Sequence, residues 1–218
     1  MLKKNNIQKH ILDILKDKRS MRNILLYNGD SELKSLFEII NNNKIKAEST
    51  GEQNSFELLF TQCNKCGDII SKRSPFGTGS NRVMIILNRP RLMNMNEIAA
   101  YKSESDELLK KMMKAIDLEL NECYITSLIK CETNNVLIKP SDMVRNCLLI
   151  LDSEIDFIKP DLAIVMGDIL PLQKIVSSRK EITWFNIEHP ISLIKNPELK
   201  RSAWSTLKLA SKRFLELR

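Results

Sequence analysis

Arg82-Val83-Met84-Ile85-Ile86-Leu87 is an almost unbroken apolar run that stops at Asn88-Arg89-Pro90-Arg91. It is too short for a packed helix, and without polar alternation neither of its faces is left to water. A short strand buried on both sides belongs to a parallel sheet with helices above and below. Three later segments repeat the pattern: residues 123–129, residues 161–166 closed by Gly167, and Thr183–Ile187. Helical patterns separate them. Residues 104–116 place Leu108, Leu109, Met112, Met113 and Ile116 on one face. Residues 141–158 predict a long helix with Pro140 at its start and Ser141 as its cap. Pro171 delays a short helix within 169–176, and 197–217 predict a closing helix. The fold class is therefore α/β with a parallel sheet. Working groups in such sheets collect beyond the carboxyl ends of the strands. That directs attention to residues 88–91, 127–131, 167–168 and 188–193.

Outward from this frame, residues 1–54 read as a helical extension ending in a polar linker at 41–54. Ile7, Ile11, Ile14 and Leu15 keep a helical period. Asn28-Gly29-Asp30 marks a turn, and Ser31 caps a second helix with Leu33, Leu36, Ile39 and Ile40 on its apolar face. The main domain is expected over residues 55–218. In 218 residues, 43% are hydrophobic, enough for a core without disulfides. No apolar run approaches the ~18 residues of a membrane span, and no signal-peptide pattern opens the chain. A cytoplasmic monomer without membrane contact is expected. The formal net charge of +7 is compatible with a nucleic-acid partner.

The five cysteines carry more information in a reducing compartment, where spacing points to metal or catalysis before disulfides. Cys63 and Cys66 form C-x-x-C, Cys131 follows the second main strand, and Cys147 lies within the long helix. Four thiolates suit either a [4Fe–4S] cluster or a tetrahedral zinc ion. One close pair with two separated cysteines leans toward the cluster, while four unrelated buried thiols remain the third alternative. Cys123, at the start of a buried strand, reads as core.

An ordered set of motifs adds a resemblance. These are Cys63-Asn64-Lys65-Cys66, Phe76-Gly77-Thr78-Gly79, the run from Tyr124-Ile125-Thr126-Ser127 to Lys130-Cys131, and Cys147. Ile158-Lys159-Pro160, Ile164-Val165-Met166-Gly167, His189-Pro190-Ile191-Ser192-Leu193, Asn196-Pro197 and Trp204 follow. From Cys63 onward the chain resembles the iron–sulfur uracil-DNA glycosylases, known as family 4. The resemblance implies a three-layer α/β/α sandwich around a four-stranded parallel sheet. It implies a structural [4Fe–4S] cluster on Cys63, Cys66, Cys131 and Cys147. It also implies hydrolysis of the N-glycosidic bond of deoxyuridine after the base is flipped out of DNA.

On this resemblance His189 is the donor to the departing base, Pro190 follows it at the DNA, and Leu193 is an apolar wedge for the vacated stack. Other positions depart from the family pattern. Asn88 stands where the family has a glutamate, and an amide orients water without taking its proton. Leu87 and Arg91 replace glycines around Pro90, where side chains narrow a pocket. Six glycines in 218 residues is under half the usual ~7%, and none flanks Pro90. Arg89 and Arg91 become candidate phosphate contacts. Ser127 replaces a base-reading asparagine, so one hydroxyl covers only part of the base edge. The family's stacking phenylalanine segment is missing, and Tyr101 is the nearby aromatic. Two functions follow: a base-excision glycosylase of weak or altered base preference, or an inactive DNA-binding or protein-interaction member. In the second, the N-terminal helices are a possible surface for a protein partner.

Overall fold

The computed structural model describes residues 55–89 and 95–218. The expected extension over residues 1–54 lies outside the described residues, as do Pro90 and Arg91. The elements run α1 (Ser55–Gln62), β1 (Ile69–Lys72), β2 (Val83–Leu87), α2 (Met95–Lys114), β3 (Tyr124–Ser127), β4 (Cys131–Thr133) and α3 (Pro140–Ile158). Then come β5 (Leu162–Met166), a 3₁₀ turn (Leu170–Leu172), α4 (Gln173–Ser178), β6 (Thr183–Ile187), α5 (Pro190–Lys195), a second 3₁₀ turn (Pro197–Leu199) and α6 (Lys200–Glu216). No described helix is long and apolar enough to cross a membrane.

The main sheet has the order β3-β2-β5-β6, and all its pairings are parallel. Ile85 sits beside Ile125 on one side and Ile164 on the other. Strand alternation explains why every residue of the central strands is apolar. Val83, Ile85, Leu162, Ile164 and Met166 face one core with Leu109, Met113, Leu207 and Phe214 of α2 and α6. Met84, Ile86, Ala163 and Val165 face the opposite core with Leu151 and Ile155 of α3. Helices on both faces make three layers, so the expected α/β/α sandwich with a four-stranded parallel sheet is what the chain forms.

Several local expectations change. The helix expected from residue 104 begins at Met95, and the strand expected over 123–129 is only Tyr124–Ser127. Ser141 is not the cap of α3. Pro140, which lacks an N–H, takes the first helical turn, and Lys139 is the extended N-cap without a side-chain bond. An antiparallel ribbon of β1 and β4 escaped the sequence reading, because strands of four and three residues leave almost no period to see. The six-residue helix α5 was also missed, and it alters one assignment. Leu193 is 2% exposed and belongs to the core shared by α2 and α6. A side chain already enclosed by apolar neighbours is not a wedge for DNA.

Gly167 ends β5 with φ 114°, and a Cβ there would stand 2.0 Å from the Asn88 carbonyl oxygen. The two backbones meet at the carboxyl end of the sheet only because this residue has no side chain. Gly167→Ala is expected to cost about 2–3 kcal/mol, combining backbone strain with a forced displacement of Asn88. A lowered denaturation midpoint at unchanged m-value checks it.

Candidate active site

The carboxyl ends of β2 and β3 and the segment after β6 line an open cleft of about 270 Å³. That is near the lower end of ligand pockets, which run roughly 300–1,000 Å³, and it suits a ligand the size of one heterocyclic base. Leu87 and Ser127, register partners at the ends of β2 and β3, form its floor. His189, Pro190 and Arg89 also line it, so four of the expected site residues meet here. The chain leaves β6 at Ile187 and reaches His189 two residues later, in extended conformation, as the N-cap of α5.

His189 has a defined protonation. Its Nδ1 accepts the Ile191 N–H at 3.2 Å, so the neutral ring carries its proton on Nε2. The residue is 4% exposed. Burial, helped by the positive charge of Arg89, pulls its pKa down to about 4. At neutral pH the cleft therefore presents an uncharged N–H donor.

Asn88 occupies a different place from the expected water holder. It is 5% exposed and absent from the described cleft wall. Its Nδ2 donates to the Asp168 carbonyl at 2.7 Å, and its backbone N–H donates to Met166 at 2.8 Å. The side chain acts as a strut between the loops after β2 and β5, because the glycine at 167 lets those loops touch. The carboxylate among the described lining residues is Asp106, on α2. The sequence reading missed it because it lies on the polar side of an amphipathic helix, among many charges.

Phe76 was also missed. Its ring is 54% exposed and lines the cleft. Its backbone N–H and carbonyl each bond to Ile125, both at 2.8 Å. Gly77, at φ 82°, follows it, and a Cβ there would reach within 2.0 Å of the Cys123 carbonyl oxygen. An exposed aromatic ring thus stands on backbone pinned to β3 by two hydrogen bonds. The signal was the Phe76-Gly77-Thr78-Gly79 loop, whose glycines announced the close approach but not the direction of the ring. Tyr101 is absent from the described lining, and the Lys195 Nζ lies 5.9 Å from its ring centroid.

The cleft is bordered by a charge cluster. Glu132 of β4 accepts from Arg73 at 2.5 Å and pairs with Arg89 at 3.7 Å. Burial opposes its ionisation, but Arg73 above all, with Ser71 and Arg89, keeps its carboxyl below the usual range. Burial, reinforced by Arg73, brings Arg89 down to about 10, which leaves it charged at neutral pH. The two guanidinium groups share the Glu132 carboxylate, and the Asp106 charge also acts on Arg89, so a second carboxylate offsets the second cation.

The cysteines sit on the β4 side of this cluster. Cys66, Cys131 and Cys147 are buried, and Cys63 is partly so. Burial pushes the Cys131 thiol up to about 12, and Cys66, Cys147 and Cys63 push in the same direction. The four thiols are therefore close enough to sense one another. The Lys130 N–H donates to the Cys147 sulfur at 3.4 Å, and Asn146 Nδ2 approaches the Cys66 sulfur at 3.9 Å. Among the described residues no three ligating side chains close on a point for a single ion. The donor set, all thiol and mostly sheltered, has the chemistry of an iron–sulfur or zinc site. Cys123 is fully buried and accepts from Asn81 at 3.3 Å, as a core thiol.

No curated protein matches the chain. Residues 74–208 match the model of the uracil DNA glycosylase superfamily. The match takes in Phe76, Ser127, Cys131, Cys147 and His189, and it begins after Cys63 and Cys66. It covers more than half of the sequence and spans every strand of the parallel sheet around the cleft, and on that ground the chain belongs to the uracil-DNA glycosylase superfamily.

Proposed function

We propose that the protein is a DNA N-glycosylase of base excision repair with weak or altered base preference. The observation that carries this reading is the neutral Nε2–H of His189 in a base-sized cleft. Breaking the bond between sugar and base puts negative charge on the base, and a fixed donor stabilises that charge without giving up a proton. An uncharged imidazole suits this role, since it binds the developing anion while its own proton stays in place. Phe76 supplies a face on which a flipped base stacks. Ser127 reads the base edge with a single hydroxyl, which weakens discrimination. Asp106, rather than Asn88, is the group suited to orient the attacking water. Arg89 faces the phosphates of the everted nucleotide.

In the same reading Cys63, Cys66, Cys131 and Cys147 hold a [4Fe–4S] cluster. The four irons of a cube take one thiolate each, so the sulfurs need not close on one point. The cluster would supply structural support, tying α1, β4 and α3 together beside the cleft.

A second reading, a DNA-binding member without catalysis, draws on one observation. The amide of Asn88 is tied to Asp168, so nothing polar from that position reaches the described cleft wall. One set of measurements separates the two. Duplexes carrying uracil, hypoxanthine or a mismatch are incubated with the protein at high concentration and scored for alkali-labile abasic sites. Sites appearing with at least one substrate are expected. No sites on any of them, with salt-dependent binding retained, would establish the second reading. No DNA binding at low salt would overturn both. About four irons and four sulfides per chain are expected for the cluster, and stoichiometric zinc would refute it.

A further inference from the structure

The burial of Leu193 leaves the cleft without the wedge that a flipped base requires. When a nucleotide leaves the stack, its neighbours unstack unless an apolar group fills the hole. Among the exposed large hydrophobics of the described residues, two neighbours are the barest. Val136 is 93% exposed and Leu137 is 87% exposed, adjacent to each other at the tip of the turn between β4 and α3. Branched apolar side chains this bare gain nothing for the fold, because water surrounds them in the folded and the unfolded chain alike.

The turn that carries them is firmly held. Asn135 Oδ1 accepts the Leu137 N–H at 3.0 Å, and Asn135 Nδ2 donates to the Cys66 carbonyl at 2.9 Å. The Asn135 N–H in turn donates to the Thr133 hydroxyl at 3.0 Å, and the Asn134 N–H donates to the Asp68 carbonyl at 3.1 Å. On the far side Pro140 starts α3. A rigid turn with an apolar point enters a base stack at a lower entropy cost than a mobile loop.

The tip is tied through the chain to the border of the cleft. Glu132, whose carboxylate pairs with cleft-lining Arg89, lies only four residues before Val136. Four residues span at most ~14 Å, the rise of about four base steps along one strand. Exposed Lys139 follows the tip, and exposed Lys65 lies in the Cys63–Cys66 loop that Asn135 grips. Both add positive charge to the segments that carry the tip.

We propose that Val136 and Leu137 form the wedge that inserts into duplex DNA next to the everted nucleotide. This rests on the glycosylase fold acting on DNA, as read above. The test uses the full chain and a duplex with 2-aminopurine beside a tetrahydrofuran abasic analogue, compared with an unmodified duplex. Wild-type protein is expected to raise the 2-aminopurine emission as the step opens. Val136→Ser with Leu137→Ser is expected to lose that rise. It is also expected to lose about tenfold or more in affinity for the abasic duplex, equivalent to burying one such side chain. Its melting temperature should stay that of the wild type, since neither side chain is packed. Retention of both signals by the double variant overturns the proposal, while uracil release by the wild type leaves the glycosylase reading standing. That outcome would turn the tip toward a protein partner. A wild-type protein that binds neither duplex overturns the proposal and the DNA reading together.

Discussion

His189→Ala is expected to slow base release by about 10²–10³-fold, the usual cost of removing one fixed donor from a developing anion. The substitution also removes the N-cap of α5, worth about 0.5–2 kcal/mol. His189→Asn separates the two roles. Its side-chain oxygen still caps the helix, but it presents no N–H where Nε2 stood. Asparagine should therefore recover stability and leave the rate low. Equal rates for wild type and the asparagine variant in single-turnover assays would remove His189 from the chemistry. The pH profile adds a second check. Burial depresses the folded pKa to about 4, below the ~6.5 of an unfolded histidine. The unfolded chain thus binds the proton first as pH falls. This residue's contribution to stability is complete above about pH 6.5, declines below it, and is lost by about pH 4. The neutral donor persists through the same interval. The His189 contribution to the rate should therefore stay level down to about pH 5, whereas an unburied histidine would give a break near 6.5.

Lys130→Ala is expected to destabilise the fold by about 3–5 kcal/mol, a large part of the 5–15 kcal/mol that holds a typical domain together. The Lys130 and Glu154 side chains are 3% and 1% exposed, with Nζ 2.5 Å from the carboxylate. Lys130 also donates to the Thr126 hydroxyl at 2.6 Å, which bonds the same carboxylate. Burial lowers the Lys130 pKa and raises that of Glu154, against the pull of each on the other. The charges thus depend on each other, and removing one leaves the other bare in the core. The loss corresponds to a fall in Tm of roughly 6–20 °C for a domain of this size. Replacing both, as Lys130→Met with Glu154→Leu, should cost much less than the sum of the single changes. Additive losses would show that the pair is not coupled. The pair lies directly under the site: Thr126 lines the cleft, and the Lys130 N–H reaches Cys147. The lysine before Cys131 in the sequence motif is thus a buried support, with no contact to spare for DNA.

The legibility of the fold followed residue pattern. Strands β2 and β5 were readable because both faces of the sheet are covered there, which removes polar residues from the run. The thiol set and His189 were readable because their chemistry is scarce in the chain, with only two histidines and five cysteines. Phe76 and Asp106 were not, because one looked like part of a glycine turn and the other like one charge among many on a helix. Leu193 misled for the opposite reason. Its motif position suggested exposure, but the six-residue helix α5 turns it into the core against α2 and α6.

The sequence by itself determined the layered α/β frame, the end of the sheet where the site lies, and the residue types available for chemistry. Those properties depend on local period and composition, which a single strand of text carries. Only the tertiary structure decided which polar groups face a common space. Asn88 became a strut because Gly167 brings two loops into contact, and His189 became a neutral donor because α5 fixes its Nδ1. Val136 and Leu137 stand bare at the tip of a turn that Asn135 ties to Cys66. Direction, burial and protonation are set by neighbours distant in sequence, and no stretch of residues read alone contains them.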